Sequence, residues 1–306
     1  MEPVRAEQLS RPRGSMPSAP DRLTTTTARL VTLPTYPVRL TSTIEESRPM
    51  TRSPLPLGID IGGSGIKGAP VDLETGSFAA DRIRIETPGA STPKAVIKIV
   101  KEIAGEFESQ CGDGPVGVTV PAVTSGGVVH TAANIDKGWI GADAGAMLTE
   151  ALGRPVHLLN DADAAGVGEM QYGSGRGAQG TVLVVTLGTG IGSALFVDGI
   201  LVPNTELGHL EIDGHDAEKR ASNGAREADD LSWEKWAKRL QRYFRHVENL
   251  FWPDLIVIGG GISKKSDKYL PLLDIRTPIV PATLRNDAGI IGAAWIATQK
   301  AGRPGR

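Results

Sequence analysis

The chain has 306 residues, and a chain of this length can bury one large core or two smaller ones. Its net charge of −2 excludes a protein that binds nucleic acid through overall charge, and its single cysteine, Cys111, excludes an internal disulfide and a thiolate zinc site. The 40% hydrophobic and 22% charged residues are typical of a soluble globular protein. We therefore expect a cytoplasmic protein without a nucleic-acid or membrane partner.

Residues 1–54 differ in composition from the rest of the chain. They are rich in Arg, Thr, Ser and Pro and show no sustained periodicity, so we predict a disordered tail. The tail is mildly basic. A dispensable extension explains this composition, and a targeting arm is the alternative.

Short apolar runs separated by turns begin at residue 55 and predict a β-meander. Helical spacing of apolar residues predicts a helix at 92–107. The meander strands are 55–60, 66–71 and 82–86, and the helix is followed by strands 116–120 and 128–130, a helix near 142–152, a strand at 156–159 and a helix from about 162.

A second series of elements begins at residue 180. It comprises a hairpin of strands 181–187 and 191–197, a strongly amphipathic helix at 231–251, a buried strand at 255–258 and a small-residue helix at 288–298. Two β-rich blocks, each followed by helices, predict a duplicated α/β unit with a cleft between its halves.

The first glycine-rich turn joins two predicted strands and reads Asp60-Ile-Gly-Gly-Ser-Gly65. Its glycines fit a dinucleotide fingerprint, but Pro70 follows where that fold needs a helix. A bare Asp60 carboxylate would repel phosphates unless Mg²⁺ sits between them, directly or through water. The turn is therefore predicted to clamp phosphate, with a purely structural hairpin as the alternative.

Two further glycine turns lie at 186–192 and 257–265. One glycine hairpin from each half could grip a phosphate chain from opposite sides, and a buried strand that runs into glycines and a helix start suits an anion. Solvated lysines are the alternative for the last turn. The predicted donor-binding residues are Asp60, Gly62, Gly63, Ser64, Gly65, Lys67, Gly188, Thr189, Gly190, Gly259, Gly260, Gly261, Lys264 and Lys265.

An amide and a carboxylate, Asn160 and Asp161, follow the predicted strand 156–159, where open α/β sheets place ligands. Asp161 can accept a proton from an attacking sugar hydroxyl, while Asn160 holds a neighbouring hydroxyl. Helix capping by Asn160 or Asp161 is the alternative. Asp163 is a second carboxylate one step further into the helix.

An acid and an imidazole, Glu206 and His209, stand three residues apart beside a glycine. Their position shortly after the second glycine turn favours hydroxyl ligands. Metal binding by His209, Glu206, His215 and Asp216 is the less favoured alternative.

In order and spacing, these motifs resemble the ROK (repressor, open reading frame, kinase) sugar kinases over roughly residues 57–297. The resemblance rests on Asp60-Ile-Gly-Gly-Ser, Asn160-Asp161, Leu187-Gly-Thr-Gly-Ile-Gly, Glu206-Leu-Gly-His209 and the turn at 259–261. It implies an α/β protein with the two-lobed actin-like ATPase fold (a duplicated ribonuclease H-like unit), usually as a homodimer. We place the N-terminal lobe at 55–158, with helix 286–299 packing back on it, and the C-terminal lobe at 159–285.

The resemblance also implies roles for single residues. Asp161 would be the catalytic base, and Asn160, Glu206 and His209 would bind sugar hydroxyls together with Asn134. The family's zinc cluster, C-x-C-G-x-x-G-C, is missing here, so we expect no structural zinc. Glu218 follows the place of that cluster and is assigned to the last sugar-binding position.

Within the family, the zinc-less loop, the helix at 233–251 and Gly-Gly-Gly-Ile-Ser-Lys-Lys resemble the polyphosphate glucokinases of actinobacteria. Residues 219–268 hold eleven Lys and Arg against seven Asp and Glu, and Lys235, Lys238, Arg239, Arg242 and Arg245 lie on the polar side of that helix. A basic track of this kind suits polyphosphate, and a solvated basic face is the alternative.

The expected reaction is Mg²⁺-dependent transfer of a phosphoryl group from polyphosphate, or ATP, to the 6-hydroxyl of glucose. Three other functions are the alternatives. They are a strictly ATP-dependent hexokinase of the same fold, a sugar-responsive ROK transcriptional regulator, and a Rossmann oxidoreductase, which Pro70 disfavours.

Overall fold

The computed structural model describes residues 53–132 and 135–301. The predicted tail at 1–54, apart from its last two residues, therefore lies outside the described residues. Across the described ranges, no helix combines the length and the apolar character needed to cross a bilayer.

The first half of the described chain forms a mixed six-stranded sheet with helices packed on it. Its elements are β1 (Leu57–Ile61), β2 (Ile66–Asp72), β3 (Ser77–Phe78), β4 (Ile83–Ile85), α1 (Pro93–Glu106), α2 (Glu108–Cys111), β5 (Val116–Val120), β6 (Thr124–Ser125), β7 (Val128–Val129), α3 (Ala144–Leu152) and β8 (Val156–Asn160). The sheet order is β3-β2-β1-β5-β8, with β4 paired to β2. β1, β5 and β8 run parallel, so their carboxyl ends meet at one edge of the sheet.

The second half forms a five-stranded sheet in the order β11-β10-β9-β14-β15. Its elements are α4 (Asp161–Tyr172), β9 (Thr181–Leu187), β10 (Ile191–Val197), β11 (Ile200–Val202), β12 (Glu211–Ile212), β13 (His215–Asp216), α5 (Glu218–Ala221), α6 (Asn223–Ala228), α7 (Trp233–Phe251), β14 (Leu255–Gly259), β15 (Ile279–Pro281) and α8 (Ala288–Ala301). The long predicted strands and helices are confirmed. The sequence did not predict α2, α5, α6 or the short strands β3, β6, β11, β12, β13 and β15.

The long helix α7 supplies the core of the second half. Ser232 caps its first turn by accepting a hydrogen bond from the Lys235 backbone amide, and its apolar side is fully buried at Trp236, Leu240 and Phe244. The indole nitrogen of Trp236 donates to the backbone carbonyls of Ala221 and Ser222. The helix therefore anchors the end of α5 as well as the sheet.

Helix α8 lies against β1, β5 and α4, so one helix joins both halves. The contact is close because both strands carry a glycine beneath it. A Cβ atom at Gly117 would lie 2.0 Å from the Ala293 carbonyl oxygen, and one at Gly58 would lie 2.0 Å from that of Ile290. Any side chain on these two strand positions would push the helix away.

We expect the substitution Gly117→Ala to lower the free energy of unfolding by at least ~2 kcal/mol, because the added methyl group meets helix backbone that cannot rotate aside. Urea denaturation would measure this loss. Gly105→Ala in α1 is the matched control: no atom lies within 4 Å of its added Cβ, and it should stabilise by about 0.5–1 kcal/mol. Equal stability of the two variants would contradict the close contact.

Candidate active site

Two carboxylates lie at the carboxyl edge of the first sheet. Asp60 stands opposite Thr119 in the β1–β5 register, and Val120 stands opposite Asn160 in the β5–β8 register. Asp60 and Asp161 are thus two strands apart, and neighbouring strands lie about 4.8 Å apart. The Thr119 hydroxyl donates to Asp60 Oδ1 at 2.8 Å, and the Lys67 ammonium lies 3.4 Å from Asp60 Oδ2. One cation and one hydroxyl therefore hold the Asp60 carboxylate in place.

Asn160 caps α4 from a buried position. Its Oδ1 accepts hydrogen bonds from the backbone amides of Ala162, at 2.8 Å, and Asp163, at 3.0 Å, while its Nδ2 donates to the Ala122 carbonyl. Helix capping was one of the two predictions made for Asn160 from the sequence, and the structure confirms it. Hydroxyl binding by Asn160 stays a prediction, for which the second hydrogen of its amide is the remaining donor.

Asp161, the first residue of α4, is half-buried. Burial, with the nearby charge of Asp60 as the second cause, raises its pKa to about 7, although the Ala162 amide donates to Oδ1 and acts in the opposite direction. The charge of Glu206, which lies in the second half of the chain, adds to the rise, whereas Asp60 lies in the first half. Asp161 therefore sits where both halves of the chain act on its proton.

One hydrogen bond within the first glycine turn and two from outside it hold the turn in place. Gly62 donates to the Gly65 carbonyl at 3.2 Å, the Thr87 hydroxyl donates to the Gly62 carbonyl, and Arg84 donates to the Ser64 carbonyl at 2.8 Å. These bonds occupy carbonyl oxygens of the turn. Sequence analysis missed Thr87 and Arg84, since neither lies near the turn in the sequence.

The second glycine turn packs against the first turn of α4, at the residue that follows Asp161. A Cβ at Gly192 would lie 2.8 Å from that of Ala162, the residue after Asp161. Ile191 lies in the same strand. A Cβ atom at Gly208 would lie 2.0 Å from the Ile191 carbonyl oxygen, so residue 208 has no room for a side chain. The backbone amide of Ile191 donates a hydrogen bond to Glu218 Oε2 at 3.1 Å. The structure thus brings the Glu206–His209 segment and Glu218 together around Ile191.

The third glycine turn follows β14 and leads into a 3₁₀ helix, Gly261–Lys268. Gly260 has a positive φ of 80°, a conformation that favours glycine, and its carbonyl accepts a hydrogen bond from the Ser263 hydroxyl at 2.8 Å. Gly259 stands opposite Thr186 in the β14–β9 register, so the second and third turns share one edge of the second sheet. Lys264 and Lys265 follow as exposed side chains.

The imidazole of His209 lies between carboxylates. Its Nδ1 is 3.0 Å from Asp216 Oδ2, and its Nε2 is 3.9 Å from Glu206 Oε2. The hydrogen bond to Asp216 is the main cause that raises the His209 pKa. Asp216 Oδ1 also accepts the Glu218 backbone amide at 3.2 Å. Asp216 therefore connects His209 with the start of α5.

Ligand atoms of His209, Asp216 and Glu218 lie within 4.8 Å of one another, close enough to hold a metal ion. This set differs from the alternative metal set drawn from the sequence, because Glu218 takes the place of Glu206 and His215. It contains no thiolate. The hydrogen bonds of Asp216 and Glu218 described above already give these groups protein partners.

Asp163 is a structural carboxylate. Its Oδ2 accepts the backbone amide of Asn204 at 2.8 Å, and Asn204 in turn exchanges two hydrogen bonds with the backbone of Thr124. Burial raises its pKa to about 6. Asn134, the remaining predicted sugar ligand, lies outside the described residues. Thr119 was also missed, although it is the one hydroxyl in the apolar strand β5 and stands at its carboxyl end.

The model of the ROK family matches residues 56–221. A polyphosphate glucokinase of Mycobacterium tuberculosis is 52% identical over 238 residues, 78% of this chain and 89% of that protein. The crystal structure of an inorganic polyphosphate/ATP-glucomannokinase from Arthrobacter sp. strain KM is 56% identical with a TM-score of 0.78, covering 81% of this chain and 100% of that one.

A ROK family glucokinase from Streptomyces griseus, solved with glucose and AMPPNP, is 23% identical with a TM-score of 0.69, over 80% of this chain and 99% of that one. At this identity the likeness concerns the fold alone. The chain belongs to the ROK family and has its two-lobed, actin-like sugar-kinase fold.

Proposed function

We propose that the protein transfers the terminal phosphoryl group of inorganic polyphosphate, or of ATP, to the 6-hydroxyl of glucose. One observation carries the proposal: Asp161 begins a helix whose next residue, Ala162, packs against the second glycine turn, and it lies two strands away from Asp60 of the first turn, whose charge helps to raise its pKa. The similarity to a polyphosphate glucokinase and to a polyphosphate/ATP-glucomannokinase supports the choice of sugar and donor.

Asp161 acts as the general base. As the sugar oxygen attacks, the new O–P bond forms, the bond between the terminal phosphorus and its bridging oxygen breaks, and the hydroxyl proton passes to Asp161. A base with a pKa of about 7 is well matched to proton transfer at neutral pH. The donor leaves one phosphate shorter, or as ADP.

The sugar is held by groups around Ile191. His209, Glu206 and Glu218 present an imidazole and two carboxylates, which can donate to and accept from neighbouring sugar hydroxyls. Asp216 fixes the His209 ring, since its carboxylate accepts from Nδ1 and leaves Nε2 for the sugar. Asn160 contributes its free amide hydrogen, and Asn134 remains a further predicted ligand.

The donor lies along the glycine turns and continues toward a basic aromatic cluster. The guanidinium of Arg226 lies 4.5 Å from the Trp233 ring centre, and the ammonium groups of Lys265 and Lys268 lie 5.9 and 5.6 Å from it. Arg226 belongs to α6, whose Gly224 amide donates to the Gly188 carbonyl of the second turn. A run of cations beginning at the turns suits a donor that carries a charge on every phosphate.

Mg²⁺ fits beside Asp60. Its carboxylate is an oxygen ligand of the type that Mg²⁺ prefers, and it stands near the end of β1, where Lys67 is its one ion-pair partner among the described residues. When bound, the ion neutralises donor charge. Thr119 and Lys67 keep the carboxylate oriented for it.

The protein forms a homodimer in this proposal. The β10–β11 hairpin presents apolar side chains to solvent, among them Ile200, which is 73% exposed, and Val197 and Val202 beside it. A contiguous exposed apolar surface on a globular protein marks an interaction site. A second copy is the partner that the family resemblance implies.

We expect Asp161→Asn to lower turnover by at least about a hundredfold, because the amide cannot accept the hydroxyl proton. Asp163→Asn is the matched control and should stay within about tenfold of the parent, since that residue holds Asn204 instead of substrate. A coupled assay of glucose phosphorylation with polyphosphate and with ATP measures both. Transfer from ATP alone would refute the polyphosphate donor, and near-parental turnover of Asp161→Asn would refute the base.

The same substitution should raise stability above neutral pH. The folded-state pKa of Asp161 is about 7, above its usual value of 3.8, so the folded protein binds its proton more tightly and loses stability as pH rises from about 4 to 7. An uncharged amide removes this loss. Thermal unfolding should show Asp161→Asn to be more stable than the parent at pH 8 and no more stable at pH 4. An equal difference at both pH values would contradict the raised pKa.

We expect Ile200→Lys to convert the dimer to a monomer, because a charge would be buried at the interface. Sedimentation velocity measures the mass. Leu250→Lys replaces another exposed apolar residue, on α7, and should leave the dimer intact. A parent protein that sediments as a monomer would refute the assembly.

A further inference from the structure

A basic cavity lies behind the sugar-binding elements, between α5, α7 and the β12–β13 hairpin. Its volume is about 330 Å³. Four cationic side chains line it, Arg220, Lys238, Arg239 and Arg242, against one carboxylate, Asp213. Residues of the three glycine turns are not part of its lining, so it is separate from the transfer site.

Two of the four cations have partners and two do not. Arg242 forms a two-pronged ion pair with Asp213, at 2.9 and 2.6 Å, and Arg239 donates to Asp229 at 2.7 Å and to the Arg220 carbonyl. Within the described residues, the side chains of Arg220 and Lys238 form neither an ion pair nor a hydrogen bond. The cavity therefore carries positive charge that the protein itself does not neutralise.

The wall of the cavity includes an unpaired polar group. Tyr243 lines it and is only 1% exposed, and its hydroxyl has no hydrogen-bond partner among the described residues. A buried hydroxyl without a partner costs stability and is uncommon in native structures. Because the Tyr243 hydroxyl is itself buried, the groups open to a ligand in the cavity are the cationic side chains, of which Arg220 and Lys238 have no partner among the described residues.

We propose that this cavity is a second phosphate-binding site, distinct from the site of phosphoryl transfer. Guanidinium and ammonium groups in one concave site match a tetrahedral anion that carries more than one charge, since each phosphate oxygen can accept from a separate donor. The phosphate has two sources of the same chemistry: a remote segment of a polyphosphate donor, or a free phosphorylated small molecule.

The position of the site couples it to the sugar ligands. Ala217, Arg220 and Ala221 of the α5 region face the cavity, while Glu218 on the same short helix reaches the Ile191 amide. His215 also lines the cavity and precedes Asp216, which holds His209. A ligand in the cavity contacts the same two elements that carry sugar-binding groups.

The test is the number of phosphate ligands that the full-length protein binds. Isothermal titration with inorganic tripolyphosphate, without glucose, should show one bound ligand fewer for Arg220→Ala/Lys238→Ala than for the parent, or at least about tenfold weaker binding at one site. Lys98→Ala/Lys101→Ala on α1 removes the same charge at exposed positions and should match the parent. An unchanged number of sites with unchanged affinity in the cavity variant would overturn the proposal.

Kinetics with different donors then separates the two sources, and this arm alone rests on the proposed function. If the cavity holds a remote segment of the donor, the variant raises KM for long-chain polyphosphate and leaves KM for ATP unchanged. Loss of the binding site with unchanged KM for every donor instead assigns it to a free phosphorylated molecule. Because titration requires no turnover, a protein that fails to phosphorylate glucose would sink the proposed function and leave this result intact.

Discussion

The carboxyl group of Asp161 is held where its ionised form is disfavoured, and much of the candidate site follows from this constraint. Asp161 is placed by the end of β8 and the start of α4, and burial together with Asp60 raises its pKa. Its neighbours cannot be changed without changing its proton affinity. The acid Asp60, which suits a metal ion and a phosphate chain, also acts as the second cause of the raised pKa. In the proposed function, donor binding at Asp60 and the proton affinity of Asp161 are therefore linked through one pair of carboxylates.

The second constraint is the crowding around Ile191. Its amide holds Glu218, its carbonyl leaves no room for a side chain at residue 208, and its neighbour Gly192 packs against Ala162. The residues proposed as sugar ligands and the helix that begins with the proposed base consequently meet at one strand of the second sheet. Asp216 extends this arrangement by joining His209 to the Glu218 amide. Two hydrogen bonds of this one carboxylate therefore connect the Glu206–His209 segment with α5.

The sequence was informative wherever a local pattern determines structure. The short apolar runs of β1, β5 and β9 and the apolar side of α7 are local properties, so these elements were predicted. Asp161 was predicted as a site residue because open α/β sheets bind ligands at the carboxyl ends of their strands. The two-residue strands β12 and β13 carry no periodicity, and Thr87, Arg84 and Thr119 act on residues distant in the sequence. The sequence placed the basic residues of α7 on one polar side of the helix. In the structure, three of them, Lys238, Arg239 and Arg242, line a cavity together with the β12–β13 hairpin.

Helix α8 has a consequence for how the protein reaches its native state. The two glycine-bearing strands that receive it, β1 and β5, are synthesised long before it, and both sheets precede it in the chain. Until α8 has emerged from the ribosome, one face of the first sheet has no cover, and its apolar residues Ala69 and Val71 remain without their partners Ile290 and Ala294. The first sheet is synthesised early, but its apolar face is covered only when α8 has been made. The growing chain therefore depends on α8 for protection against aggregation.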